Sequence, residues 1–217
     1  GGASTAIQNA VSYGTTVGRG GLGCPNFFAS GNDNGGVSYP AAYPEAIAVG
    51  ASSPCDERKS PSSCDGETWW GSNFGSTLDF VAPGPLTTTV DIAGSGGYSS
   101  GDYTTSFNGT SSATPHAAGA GALLLAVSPG LTDSEVRTLM RQTADDQVGP
   151  PSEDTPGFDI YMGYGRVNCE ALLLAVASLV PGPTNLTCNN SGAATTLAWS
   201  NGAAYSSMEV SRNGVLL

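Results

Sequence analysis

The 217-residue chain has the length of one domain, or of one domain and part of a second, and can bury a core without metals or disulfides. Only 12% of its residues are charged, and 18 acidic against seven basic residues give a net charge of −11 at pH 7. So acidic a surface repels phosphate backbones and anionic lipid, which excludes nucleic acid and membrane surfaces as partners, and no apolar run reaches the ~18 residues of a spanning helix.

Ile7 and Val11, with Ala6 and Ala10 beside them, predict a short amphipathic helix over residues 4–13. A glycine-rich stretch ends it and leads into a buried strand at 26–30. Two further apolar strands follow at 46–50 and 78–82, the last stopped by Pro83-Gly84. Residues 111–127, rich in alanine and glycine, read as a buried helix, with Pro115 tolerated near its start. Thr132 and Glu135 form a capping box that opens a helix running to about Thr143. Another helix is expected over 170–179. Strands alternating with helices predict an α/β fold with a mainly parallel sheet.

The character changes at Pro181-Gly182-Pro183, so residues 1–180 and 181–217 are expected to be separate domains. Short strand-like pieces follow at 184–188, 195–200 and 208–212, with the hairpin signal Asn213-Gly214. They look like the opening strands of a fibronectin type III-like β-sandwich, too few to close two sheets.

Five cysteines stand at 24, 55, 64, 169 and 188. Cys55 and Cys64 enclose a short polar segment whose length suits a disulfide-closed loop. A metal pair is the rival reading, but no second Cys or His pair lies nearby to complete four ligands. The partners of Cys24, Cys169 and Cys188 stay open.

The strongest signal is Asn108-Gly109-Thr110-Ser111-Ser112-Ala113-Thr114-Pro115-His116. It resembles the nucleophile motif of the subtilisin family, G-T-S-x-A-x-P-H, at every specified position, a match with chance odds on the order of one in 10⁵. A serine at a helix N-terminus sits where free N–H groups and the dipole favour an oxyanion, and Gly109 lets a substrate backbone come close. Upstream, Phe28-Ala29-Ser30-Gly31-Asn32-Asp33 is similar to the family's oxyanion segment. The stretch from Tyr39 to Gly50, Ser72-Asn73-Phe74-Gly75 and Val81-Ala82-Pro83-Gly84 also resemble the family, in consistent order over about residues 1–180.

The resemblance implies a three-layer α/β subtilisin-like fold and a serine endopeptidase acting through an acyl-enzyme, with Ser111 as nucleophile and Asn32 as oxyanion donor. Ala29, Ser30, Gly31, Ser38 and Gly109 would contact substrate, and Asp33 would stand at the rim of the specificity pocket, favouring basic or polar side chains. Asp79 falls where some members bind a weak cation, so structural calcium is allowed, although no cofactor is required. Protein or peptide substrates, a monomer and secretion are the expectations that follow.

A Ser–His–Asp mechanism needs a base and a carboxylate to orient it. The only histidine is His116, five residues after Ser111, and at ~100° per residue it lies ~140° around the helix, facing away. The family's triad Asp and His precede the oxyanion Asn, and none of the residues before Asn32 is Asp or His. The sheet is therefore expected to be incomplete at its N-terminal side and the chain to be inactive alone. The alternative is a non-catalytic secreted binding or adhesion module on a degenerate scaffold. Glycosylation sequons occur at Asn108, Asn185 and Asn189; a glycan at the first would obstruct substrate.

Overall fold

The computed structural model describes residues 2–177, 184–190, 195–200, 211–212 and 215–216. Three parallel strands, β1 (Phe27–Ala29), β2 (Ile47–Ser52) and β3 (Phe80–Pro83), form a sheet in the order β1-β2-β3. Ala29 registers with Val49, and Val49 with Phe80. The central strand is buried at every position, as a continuous apolar run in a covered parallel sheet must be. Of the two outer strands, β1 is only half-buried, whereas β3 is buried at its first three positions.

Helix α1 (Thr5–Val17) is longer than its apolar pattern suggests, and its contact with the core is narrower. Val11 is buried with Tyr43 and Ala46, whereas Ile7 is exposed. Helix α2 (Thr110–Val127) packs on all three strands through Ala113, Ala117, Ala120, Gly121 and Leu124. Any side chain at 121 would collide with the ring of Phe27, which explains the small residues on that face. Its other face is not buried as expected: Leu123 and Val127 are about half exposed. Helix α3 (Asp133–Gln142) has both bonds of its capping box, Glu135 N–H to Thr132 Oγ1 and Thr132 N–H to Glu135. Helix α4 covers Cys169–Ala177.

The sequence reading did not anticipate one pair of strands. Strands β4 (Thr87–Val90) and β5 (Tyr103–Phe107) pair antiparallel in a hairpin that leads directly into α2. The α/β class with a parallel sheet is as expected.

The chain divides into two compact units, Gly1–Ala175 and Val176–Leu217. In the second, β6 (Thr184–Asn190) pairs antiparallel with β7 (Thr195–Ser200), and β8 (Ser211–Arg212) with β9 (Val215–Leu216). The expected boundary at 181–183, the hairpin residues 213–214 and most of the predicted strand at 208–212 lie outside the described residues.

Cys55 and Cys64 are joined in a disulfide, with Cα atoms 6.3 Å apart, so their sulfurs are committed to each other rather than to a metal. Cys24 and Cys169 carry free thiols. The loop closed by this bridge buries the only lysine of the chain. Lys59 Nζ lies 3.1 Å from Asp65 with neither side chain exposed, and it donates to Ser63 Oγ and the carbonyls of Ser60 and Glu67. Desolvation pushes the Asp65 carboxyl up, but hydrogen bonds from Ser63, the Glu67 amide and Lys59, with the lysine's charge, outweigh it and hold it below its usual value.

Lys59→Met is expected to cost about 3–5 kcal/mol in urea unfolding, because it strands a buried carboxylate. The sign with pH follows from the lowered folded value. The pair's contribution is complete above the ordinary carboxylate value of 3.8 and fades as pH falls below it. The deficit of the variant should therefore shrink in acid, and an equal deficit at pH 7 and pH 3 would show that the charge pair is not its origin.

Candidate active site

Open parallel sheets place their sites beyond the carboxyl ends of the strands. Here β1 ends at Ala29 and the chain continues as Ser30-Gly31-Asn32-Asp33, while β5 feeds Asn108-Gly109 into α2. The two segments meet at Thr110. Asn32 Oδ1 accepts from the Thr110 backbone N–H at 2.9 Å and from Thr110 Oγ1 at 2.9 Å. Because a backbone N–H can only donate, the amide has its oxygen on Thr110 and its Nδ2 donor turned away from it. Nδ2 lies beside Gly109, 3.2 Å from where a β-carbon there would sit, and the Ser111 amide is 3.5 Å from the same point.

Gly109 is the N-cap residue of α2, with φ 101°, a conformation that favours glycine. A side chain there would also crowd both N–H groups. Ser111 is exposed in the first turn of α2, where backbone N–H groups have no carbonyl within the helix to bond. Two N–H donors, Asn32 Nδ2 and the Ser111 amide, thus flank one position at Gly109, in the turn that carries Ser111. This arrangement suits the oxygen of a tetrahedral intermediate.

The expected substrate-contact segment is organised by a residue that received no role from the sequence, Asn73. Its Oδ1 accepts from the amides of Asp33 and Gly35 at 2.8 and 3.1 Å, and its N–H donates to the Gly31 carbonyl at 2.9 Å. Its Nδ2 reaches Ser38 Oγ at 3.3 Å and Asp33 Oδ2 at 3.5 Å. Gly31, at φ 111°, could carry no side chain, since a β-carbon would collide with this amide. Ser30 is fully buried: its hydroxyl donates to the Asn73 carbonyl, its amide donates to the Val49 carbonyl, and its carbonyl accepts from the Ser38 amide. The signal that could have found Asn73 is its place in Ser72-Asn73-Phe74-Gly75.

His116 Nδ1 lies 2.9 Å from the Ser112 carbonyl, one turn back on its own helix. Its ring sits in a cleft of about 250 Å³ with Thr87, Thr88, Thr89, Phe107, Ser112 and Pro115, a lining that does not include Ser111. It is not placed to take the serine proton.

Asp79 corrects an expectation. The carboxylate is fully buried, and Arg137 grips both oxygens at 2.8 and 3.0 Å. Arg141 Nε and the Ala48 amide complete the set at 2.7 and 2.8 Å. Two guanidinium groups stand where a weakly bound cation was allowed, so these residues do not fit a metal.

The sequon at Asn108 is also occupied by structure. Its Nδ2, the atom that would carry a glycan, donates to Glu67 Oε1 at 3.2 Å.

A parallel sheet that delivers an asparagine amide to the first turn of a serine-bearing helix defines a class of α/β proteins built around a helix-borne serine. The sequence model of the Subtilase family matches residues 2–165, and the chain belongs to that family. It is 34% identical over 190 residues to a calcium-dependent protease of Nostoc sp., covering 82% of this chain and 28% of that protein. It is likewise 34% identical over 172 residues to a subtilisin of Bacillus pumilus, covering 77% and 50%. Its fold is similar to that of a protease from Pseudoalteromonas arctica, with a TM-score of 0.60, 23% identity and coverage of 81% and 48%. The chain thus spans half or less of these proteins' lengths.

Proposed function

We propose that the protein carrying this chain is a secreted serine endopeptidase, and that these residues form the nucleophile and oxyanion half of its site. The Ser111 hydroxyl attacks the peptide carbonyl as its proton passes to a base. Asn32 Nδ2 and the Ser111 amide hold the resulting oxyanion. Collapse breaks the C–N bond, the leaving amine takes the proton, and water then releases the acyl group from Ser111 by the reverse sequence. The base and its orienting carboxylate come from polypeptide outside these 217 residues, since His116 faces its own helix.

The observation that carries this reading is the double hydrogen bond from Thr110 to Asn32 Oδ1. These bonds turn the Asn32 Nδ2 donor away from Thr110, in the turn that carries an exposed serine, as an acyl-transfer site requires. The segment 29–31 with Ser38 and Gly109 lines the substrate path. Asp33, exposed at its edge, favours basic or polar side chains next to the cleaved bond.

Calcium dependence belongs to the description of the Nostoc relative and is not assigned to Asp79. The second unit, with its two antiparallel strand pairs, fits the start of a fibronectin type III-like sandwich, an accessory domain of the enzyme. The test is labelling of the whole protein with a fluorophosphonate and mapping of the adduct. An adduct on Ser111 supports the reading, and an adduct elsewhere or none overturns it.

A further inference from the structure

The disulfide-closed loop places adjacent cations on opposite sides of its chain, and each reaches one half of the site. Arg58 donates through Nη1 to Asn34 Oδ1 at 2.7 Å and to the Ser72 carbonyl at 3.0 Å. Its guanidinium is held by Glu153 and lies against the rings of Phe74 and Tyr161, at 4.8 and 5.4 Å. Asn34 stands two residues after the oxyanion donor. Lys59, on the other side, donates to the Glu67 carbonyl at 2.6 Å and sits 4.9 Å from the Trp70 ring. The Glu67 residue is 5% exposed. Its carboxylate accepts from Trp70 Nε1 at 2.6 Å and from Asn108 Nδ2 at 3.2 Å.

We infer that Glu67 is a positioning residue, which sets through Asn108 the placement of the Ser111 amide opposite Asn32. A buried carboxylate makes a stronger and more directional bond to an amide than a neutral acceptor does. Asn108 is the last residue before the N-cap Gly109, so fixing its side chain fixes the entry of the backbone into α2. Gly109 offers no side chain to do this itself. Lys59 and Trp70 hold Glu67 in turn, and Arg58 anchors the facing segment through Asn34. The span between the two oxyanion donors is thereby set by one covalently closed loop. The inference rests on the reading of Ser111 and Asn32 as an acyl-transfer site.

A misplacement of about 1 Å in such a constellation costs up to ~10²-fold in rate, and a partial release should cost about tenfold. The test is a double-mutant cycle in the whole protein, with Glu67→Ala, Asn108→Ala and the pair, on a peptide p-nitroanilide that the wild type cleaves. Each single variant is expected to lower kcat about tenfold with KM within about twofold, because the oxyanion contact forms only in the transition state. The double variant is expected to be no slower than the slower single one.

Wild-type kcat in both single variants, losses that multiply in the double variant, or a loss confined to KM would overturn the inference. If Glu67→Ala does not fold, Asn108→Ala alone decides by its kcat. Failure of the underlying reading has a different signature: the fluorophosphonate would then label Ser111→Ala as it labels the wild type.

Discussion

Replacing Ser111 by alanine in the whole protein is expected to lower kcat about 10⁶-fold, the magnitude known for the nucleophile of subtilisin itself. The 217 residues alone should sit at the same floor. A serine hydroxyl is a weak nucleophile at its free pKa and needs a base within hydrogen-bond reach. His116 is committed to the Ser112 carbonyl and lies in a cleft whose lining excludes Ser111. The measurement is peptide hydrolysis together with fluorophosphonate labelling, of the whole protein and of residues 1–217. Rapid labelling of the shorter chain that survives His116→Ala would require a base other than His116.

Asn32→Leu should be the next most damaging change, with kcat reduced about 10²–10³-fold, again the range known for this donor in subtilisin. Here the effect has two parts. The transition state loses a hydrogen-bond donor, and Thr110, which is buried, loses the acceptor of both its backbone N–H and its hydroxyl. Asn32→Asp separates them, because it keeps an oxygen for Thr110 but puts a negative charge where the oxyanion forms. Its kcat should be at least as low as that of the leucine variant, with KM little changed. An aspartate variant close to wild type would mean that Asn32 serves only to hold Thr110.

The start of α2 was legible in the sequence because its pattern is local: cap glycine, serine and the small residues of the helix follow one another along the chain. The capping box of α3 was legible for the same reason. Asn73, Glu67 and Arg58 were not, since their partners are 40, 41 and 24 residues away and each looks like an ordinary polar residue in its own neighbourhood. The β4–β5 hairpin escaped for a different reason. Its strands are mostly threonine with no apolar alternation, and a stretch rich in glycine and serine separates them. Asp79 shows the limit of transferring a role by position. The resemblance located the carboxylate, but only the structure brings Arg137 and Arg141 onto it from α3, 58 and 62 residues further on.

Those two arginines change what holds that corner of the fold together. A bound ion stabilises a protein in proportion to how far its free concentration exceeds its dissociation constant, and dilution or a chelator takes that contribution away. Guanidinium groups on the same chain have no such equilibrium with the medium. At this one place, the countercharge of a buried carboxylate is part of the sequence, and its supply does not depend on the composition of the surroundings.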